Sequence, residues 1–282
     1  MVGLAGAIAA GFCFVVLISY GLWGWFYWQE GGTGSKSFWR VFGWGAVSAL
    51  VAWLLTLFTY PFGMVGWGCR GRISDQGEQP VLVLIHGVYH NKMAWWLFRF
   101  WLKRAGYSEV ITWSYGSWNR DFWTLSRALA TDLRQIGRQA GGRQVICLGH
   151  SMGGLLVRAA LAQPDNWDPE AVKLAGVVTL GTPHQGSKLA SLGWGGLARS
   201  LSFRGRLIAQ LEALEHQNPS RLGRAVALVS PADNMVVPST GLLPAVGQWE
   251  VRWTRPVSHI AMLYSPSVFR QVRGVLDDLN GV

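Results

Sequence analysis

Two long apolar segments open the chain, and short apolar runs alternating with amphipathic stretches follow them. Residues 1–29 and 41–69 contain no Asp, Glu, Lys or Arg. A helix needs about 20 apolar residues to cross the hydrocarbon core of a bilayer. Trp and Tyr cluster toward the end of each segment, as is typical of the headgroup level. The pattern predicts two transmembrane helices, at about 3–28 and 41–66, joined by a short polar linker.

A cleaved signal peptide is the alternative interpretation of the first segment. Such a peptide normally begins with Lys or Arg, which this segment lacks, and it would leave the second segment unexplained. A hairpin of two helices places the N-terminus and the rest of the chain on one side of the membrane. Lys36 and Arg40 precede the second segment and Arg70 and Arg72 follow it, so the basic residues do not indicate which side that is.

From residue 69 onward, apolar runs of strand length alternate with helical patterns. The predicted strands, with the loops that follow them, are 80–87, 109–116, 145–148, 174–184, 225–238 and 248–254, and the predicted helices are 92–104, about 121–140, 155–161 and about 267–279. Nearly continuous apolar strands between helices are typical of a parallel sheet covered on both faces. We therefore expect residues 69–282 to form one α/β domain, with its site at the carboxyl ends of the strands.

The composition shows that the chain is apolar and carries a net positive charge. Apolar residues make up 50% of the 282 residues and charged residues 14%, and the formal net charge is +10. A basic domain beside a membrane attracts anionic lipid headgroups, although a solvated basic surface is an equally ordinary interpretation. The arginines are scattered and no nucleic-acid-binding motif is present, so we expect a membrane and no nucleic acid as partners. The sequence does not indicate an oligomeric state.

The cysteines and the first two histidines do not suggest a metal centre. Cys13, Cys69 and Cys147 lie in a predicted span, beside the membrane and in a buried strand, which does not suggest a disulfide framework. Cys69 is a candidate for lipidation. His86 and His90 have no carboxylate or cysteine at ligand spacing, so we expect them to pack within their loop. We expect no metal and no cofactor.

The stretch Gly149-His150-Ser151-Met152-Gly153 matches the pattern G-x-S-x-G. An apolar strand precedes it and helix-forming residues follow it, so the serine is expected at a sharp strand-to-helix turn. Such a turn exposes the hydroxyl group for nucleophilic attack, and the small residues allow the strand and helix to pack closely. The alternative is a glycine-rich turn with an incidental serine.

A nucleophilic serine needs a histidine base, and the histidine needs an acid to orient it. In enzymes with this serine turn, the chain order is serine, acid, histidine. Asp233 follows the strand that begins at Ala225, and His259 is the only histidine beyond it. These residues complete a candidate triad with Ser151, although a turn-forming aspartate and a loop histidine are the plain alternative.

The developing oxyanion of such a reaction needs hydrogen-bond donors. The backbone N–H of Met152, directly after the serine, is the first candidate. The second is the backbone N–H of Val88, in the loop "HGVYHN" after the first strand of the domain.

The segments "VLIHG", "GHSMGGLLVRAAL", "LGTPHQGSKLA", "ADNMVVP" and "SHIAMLYSP" resemble the motifs of bacterial lipases and esterases of the alpha/beta hydrolase superfamily. The resemblance runs from about residue 80 to the C-terminus. It implies an alpha/beta hydrolase fold, a triad of Ser151, Asp233 and His259, and hydrolysis of carboxylic esters, with lipids as expected substrates, through an acyl-serine. With the hairpin, it implies a multi-pass protein of a bacterial inner membrane. Some of these lipases carry calcium near the histidine, but no second aspartate lies near His259, so we expect no calcium.

Two segments could shape the substrate site. Residues 185–222 contain apolar positions near helical spacing, which predicts either a mobile lid or a packed helical excursion. The helix at 92–104 is rich in Trp and Phe, so it is either part of the core or a surface that dips into the membrane interface. In the second case, a lipid substrate would enter from the bilayer.

Two other classes of function remain open on these residues. An acyltransferase or thioesterase would use the same acyl-serine and give an acceptor-dependent product. A non-catalytic membrane protein on a hydrolase scaffold is the other, and a complete candidate triad argues against it.

Overall fold

A seven-stranded sheet lies at the centre of the protein. The structure is a computed structural model that describes residues 2–31, 35–64, 68–71, 73–74, 77–118, 120–163, 171–218 and 222–280, without the side chains of 2–10, 12–13, 35–36 and 68–70. The strands are β1 (Gly68–Arg70), β2 (Val81–Ile85), β3 (Val110–Ser114), β4 (Gln144–His150), β5 (Lys173–Leu180), β6 (Arg224–Val229) and β7 (Trp249–Trp253). Their order across the sheet is β1-β3-β2-β4-β5-β6-β7.

Strands β2 to β7 are parallel, and β1 pairs antiparallel with β3. All six strands predicted from the apolar runs are present. Sequence reasoning missed β1, because an edge strand of three residues, Gly68-Cys69-Arg70, has no apolar run to reveal it.

The described residues form eight α-helices. They are α1 (Val2–Gln29), α2 (Ser35–Thr59), α3 (Trp96–Arg104), α4 (Phe122–Gln139), α5 (Met152–Ala162), α6 (Gly195–Ser200), α7 (Arg206–Gln217) and α8 (Pro266–Asn280). Short 3₁₀ helices span Tyr60–Gly63, Lys92–Trp95, Lys188–Leu192, Ser239–Leu242 and Ile260–Tyr264.

The apolar strands are buried because both faces of the sheet carry a core. In β2, Val81, Val83 and Ile85 face the core formed with α4, α5 and α7. The alternate residues Leu82 and Leu84 face the core formed with α3 and α8. This two-sided burial explains why the strands read as continuous apolar runs rather than as alternating patterns.

The segment expected as a lid at 185–222 divides into two parts. Helix α7 packs into the core through Leu207, Ile208 and Leu211. It is also tied to α5 by a buried ion pair, in which Arg158 Nη2 lies 2.6 Å from Glu215 Oε2. The packed interpretation therefore holds for α7, and the part near the candidate site is the 3₁₀ helix Lys188–Leu192 with α6.

The aromatic helix after β2 is mainly a core element. Trp95, Phe98 and Leu102 are buried against the sheet and α8, while Phe100 is half-exposed on the other side. Burial in the core thus explains the apolar face of residues 92–104. This face is not available as an entry route for a substrate.

Helices α1 and α2 form a hairpin joined by aromatic contacts. The rings of Trp23 and Phe38 stack with their centroids 5.7 Å apart. Within the described residues, one stretch, Ser37–Gly63, is long and apolar enough to cross a membrane. Two spans were expected, at about 3–28 and 41–66, and one candidate is found. In the first of these, the side chains of residues 3–10, 12 and 13 are not described.

The predicted end of the second span at residue 66 also lies outside the described residues.

Of the cysteines, the side chains of Cys13 and Cys69 are not described. Cys147 is buried in β4 as a free thiol, and burial raises its pKa to about 12. This residue therefore serves as a core side chain rather than as a reactive thiol.

Candidate active site

Ser151 occupies the turn between β4 and α5 in a left-handed backbone conformation, with φ 55° and ψ −130°. Only a few per cent of non-glycine residues adopt positive φ, and such strain clusters at functional sites. Two hydrogen bonds hold the turn: Ser151 N–H donates to the carbonyl of Leu180 at 2.9 Å, and the hydroxyl of Thr182 donates to the carbonyl of Ser151 at 2.9 Å. The β5 strand and its loop therefore fix the strained turn.

The glycines of the G-x-S-x-G pattern permit close packing. A Cβ on Gly153 would lie 2.3 Å from the carbonyl oxygen of Ile85 in β2, and a Cβ on Gly149 would lie 2.5 Å from the Cα of Gly154. Both distances are shorter than real Cβ contacts, so the first turn of α5 could not approach the sheet with larger residues here. Met152, the first residue of α5, buries its side chain in the core.

Asp233 and His259 form a buried pair. His259 Nδ1–H donates to Asp233 Oδ2 at 2.7 Å. The other carboxylate oxygen, Oδ1, accepts hydrogen bonds from the backbone N–H groups of Met235 and Val236 at 3.0 and 2.9 Å. Asp233 lies in the loop after β6 and His259 in the loop after β7, so the carboxyl ends of adjacent parallel strands bring the two residues together.

Two further residues contact this pair. A Cβ on Gly181, which has φ +54°, would lie 2.9 Å from Asp233 Oδ2 and 3.2 Å from His259 Nδ1. The Nε2–H of His150 donates to the backbone carbonyl of His259 at 3.0 Å. Sequence reasoning assigned His150 only to the serine turn and gave Gly181 no role, since neither contact leaves a signal in the spacing.

The loop after β2 lies against the serine. A Cβ on Gly87 would lie 2.8 Å from Ser151 Cβ and 3.3 Å from Ser151 Oγ, so this position has room only for glycine. Val88, the next residue, lines the same cavity as Ser151. Tyr89 has φ 61° and its N–H donates to the hydroxyl of Ser117 at 2.9 Å, which fixes the path of the loop. Its hydroxyl donates to the carbonyl of Trp194, beside α6.

An apolar cavity of about 370 Å³ opens in front of Ser151. One wall contains Ser151 and His259, with His150 beside them. Residues of the second apolar helix and its extension form a further wall: Trp53, Thr56, Leu57, Tyr60 and Pro61. The segment after the "GTPHQGS" motif contributes Leu189, Ala190 and Ala198. The contribution of α2 was missed from the sequence, because no local pattern indicates which distant element a long apolar helix contacts.

Burial keeps the remaining histidines near the site neutral. It lowers the pKa of His86 to about 3 and that of His90 to about 4. His86 stacks on Tyr115 with 4.3 Å between ring centroids, and its ring nitrogens contact the carbonyl of Gly87 and the hydroxyl of Ser114. These contacts fit the expected packing role. Among the described residues, no group of three or more His, Cys, Asp or Glu side chains is arranged to hold a metal ion.

The sheet order, the serine turn after β4 and the acid and histidine after β6 and β7 define a class of protein. The alpha/beta hydrolase family model matches residues 82–278, and the chain belongs to this family. No curated protein sequence matches the chain significantly.

Solved structures agree with the fold. A lipase of Bacillus licheniformis, BlEst2 in its mature form, is 21% identical with a TM-score of 0.56, over 74% of this chain and 97% of that one. A lipase B of Aspergillus fumigatus is 15% identical with a TM-score of 0.60, over 76% and 60%. A protein of Listeria innocua is 14% identical with a TM-score of 0.53, over 71% and 94%. These likenesses show a shared fold.

Proposed function

We propose that this protein is a serine hydrolase that cleaves carboxylic esters, with lipids as its substrates. The observation that carries the proposal is the buried pair of Asp233 and His259 beside a serine held in a strained turn, with Ser151 and His259 on one cavity. A strained serine that shares a cavity with the histidine of an acid–histidine pair is the arrangement that activates a hydroxyl nucleophile.

In the proposed reaction, Ser151 Oγ attacks the ester carbonyl carbon and its proton passes to His259. The alcohol leaves with that proton when the carbon–oxygen bond of the ester breaks, which gives an acyl-serine. A water molecule then gives a proton to His259 and attacks the acyl carbon, and the carboxylic acid is released as the serine regains its proton. Asp233 holds His259 in the required tautomer and stabilises its positive charge.

The oxyanion of each tetrahedral intermediate needs donors that are already in place. We assign the backbone N–H groups of Val88 and Met152 to this role. The support is their position: Val88 follows Gly87, which packs on Ser151, and Met152 begins α5 with an N–H group that a helix leaves free.

The nature of the cavity supports a lipid substrate. Its lining is largely aliphatic and aromatic, and its polar residues include Ser151 and His259. An apolar cavity of this kind suits an acyl chain, because transfer of each methylene from water is worth about 0.8 kcal/mol. The candidate membrane helix Ser37–Gly63 supports membrane association of the enzyme.

A fluorophosphonate probe, which reacts only with activated serines, tests the proposal. We expect detergent-solubilised wild type to be labelled and to hydrolyse p-nitrophenyl esters, and Ser151→Ala and His259→Ala to do neither while remaining folded. Labelling of Ser151→Ala at the wild-type level, or no labelling of folded wild type in detergent and in liposomes, contradicts the proposal. Product transfer to an added alcohol instead of water would favour the acyltransferase alternative.

A further inference from the structure

The hairpin of α1 and α2 is bonded to the loops that carry the acid and the histidine. The hydroxyl of Tyr20 donates to the carbonyl of Ala232 at 3.0 Å, one residue before Asp233. The side-chain amide of Asn234 donates to the hydroxyl of Ser19 at 2.8 Å. All four groups are buried, so the acid loop is held from both of its sides by α1.

Helix α2 makes the matching contacts to the histidine loop. The backbone N–H of Ser258 donates to the hydroxyl of Ser48 at 2.8 Å. Farther along the helix, the hydroxyls of Thr56 and Tyr264 lie 3.2 Å apart. Ala52 packs on the 3₁₀ helix that follows the histidine. The hairpin therefore lies along the catalytic domain as a packed element, whereas a simple tether would project from it.

The two faces of α2 have different surroundings. The face toward the domain reaches the cavity of Ser151 through Trp53, Leu57 and the following turn. The outward face exposes large apolar side chains: Trp44, Val47, Val51, Leu54, Phe58 and Phe62. Leu57 stands between the two faces, because it lines the cavity and is still 45% exposed.

A second part of the cavity rim is also apolar and exposed. Leu189 and Ala190 line it, and Leu192 and Trp194 beside them are 67% and 78% exposed. An exposed apolar surface therefore runs from the outward face of α2 to the mouth of the cavity. Large exposed apolar surfaces of this kind mark contact with a membrane, with another protein or with an apolar ligand. The candidate span Ser37–Gly63 in the same surface favours lipid.

We propose that α2 is the acyl-binding wall of the active site, and that a long-chain lipid ester reaches Ser151 past Leu57, directly from the apolar surface. Trp53 and Leu57 are then specificity-determining residues for acyl-chain length. The inference rests on the proposed ester hydrolase function and assigns the acyl-binding part of its substrate site to α2.

A matched pair of leucines on one helix tests this. Leu57→Trp narrows the proposed entry, and Leu54→Trp places the same side chain one turn away on the outward face, where Leu54 is 63% exposed and does not line the cavity. Each variant is assayed as the full chain in mixed micelles with p-nitrophenyl butyrate and p-nitrophenyl laurate. The readout is the ratio of kcat/KM for laurate to that for butyrate.

We expect Leu57→Trp to lower this ratio by about tenfold or more, because a pocket distinguishes even one methylene by that amount. Leu54→Trp should change it by less than about twofold, as surface substitutions do. Leu57→Ala, which carries little risk of misfolding, should shift the preferred chain to a longer one. If wild type cleaves laurate and both Leu57 variants keep the wild-type chain-length profile, the inference about α2 is overturned, while the proposed ester hydrolase function stands.

Failure of the proposed function gives a different result. A folded wild type that cleaves neither ester and is not labelled by fluorophosphonate overturns the ester hydrolase proposal itself, and the inference with it. Folding of each variant is followed by its thermal unfolding midpoint, so that a collapsed protein is recognised before the ratios are compared.

Discussion

The Nε2–H of His150 donates a hydrogen bond to the backbone carbonyl of His259 at 3.0 Å. The residue before the proposed nucleophile thus holds the backbone of the proposed base, and the centroids of the two rings lie 4.8 Å apart. Both residues are buried at the edge of the cavity.

Replacement of His150 should therefore slow the reaction without removing the triad. We expect His150→Phe to lower kcat by about tenfold, because a hydrogen bond that positions His259 is worth about 1 kcal/mol and each 1.36 kcal/mol is tenfold in rate. His150→Gln, whose amide can reach the same carbonyl, should recover part of the loss. Equal kcat values for wild type and His150→Phe would show that the bond does not position His259.

Gly87 provides a test of the loop beside the serine. A methyl group at this position would lie 2.8 Å from Ser151 Cβ, so Gly87→Ala must displace the serine or the loop that carries Val88. A misplacement of about 1 Å can cost about a hundredfold in rate, and we expect a loss of that order in fluorophosphonate labelling.

Gly274→Ala is the matched control for this substitution. Gly274 lies within α8 and a Cβ there meets no atom within 4 Å. The control should label at the wild-type rate and gain about 1 kcal/mol in unfolding free energy from helix propensity. Full activity of Gly87→Ala would be inconsistent with the close approach described here.

The buried ion pair between α5 and α7 should contribute strongly to folding. Arg158 donates to both carboxylate oxygens of Glu215, at 2.8 and 2.6 Å, and also to the carbonyl of His184. Removal of one partner leaves a buried charge unpaired, so Arg158→Ala should lower the unfolding free energy by about 3–5 kcal/mol. Arg273→Ala removes an exposed pair with Asp277 and should cost at most about 0.5 kcal/mol in denaturant unfolding.

Stability should fall on mild acidification because of buried neutral histidines. The folded-state pKa of His90 is lowered to about 4 by burial, below its ordinary value of 6.5. Between these values the unfolded chain binds a proton that the folded protein does not, so stability is complete above about pH 6.5 and falls as the pH drops toward 4. The loss amounts to on the order of 3 kcal/mol for this residue.

The measurement is the unfolding free energy of wild type and His90→Gln between pH 7 and pH 4. The wild-type curve should decline more steeply with falling pH than that of the variant, since glutamine does not titrate. His86, whose pKa is lowered to about 3 by burial, adds a slope of the same sign in both proteins. Parallel curves would contradict the role given to His90.

The bond from the hairpin to the acid loop can be tested with two tyrosines of α1. Tyr20→Phe removes the hydrogen bond to Ala232, and we expect a loss of about 1 kcal/mol in stability together with slower fluorophosphonate labelling. Tyr27→Phe alters a residue that packs on the rings of Trp23 and Phe38 and should leave the labelling rate unchanged. Equal labelling rates of wild type and Tyr20→Phe would show that the hydrogen bond from α1 does not affect the geometry of the loop that carries Asp233.

The sequence by itself determined the parts of this protein that depend on local pattern and chain order. The apolar runs predicted β2 to β7, because strands buried on both faces must be apolar throughout. The G-x-S-x-G turn and the order of Ser151, Asp233 and His259 placed three residues at strand ends, where a parallel sheet gathers its functional side chains.

Only the tertiary structure decided what the hairpin does. Its apolar composition was evident from the sequence, but the contacts of Tyr20 with Ala232 and of Ser48 with Ser258 join residues more than 200 positions apart. The same holds for Leu57 beside the cavity of Ser151. Helical periodicity shows that a face is apolar, whereas the choice between lipid and protein for that face depends on packing with elements far along the chain.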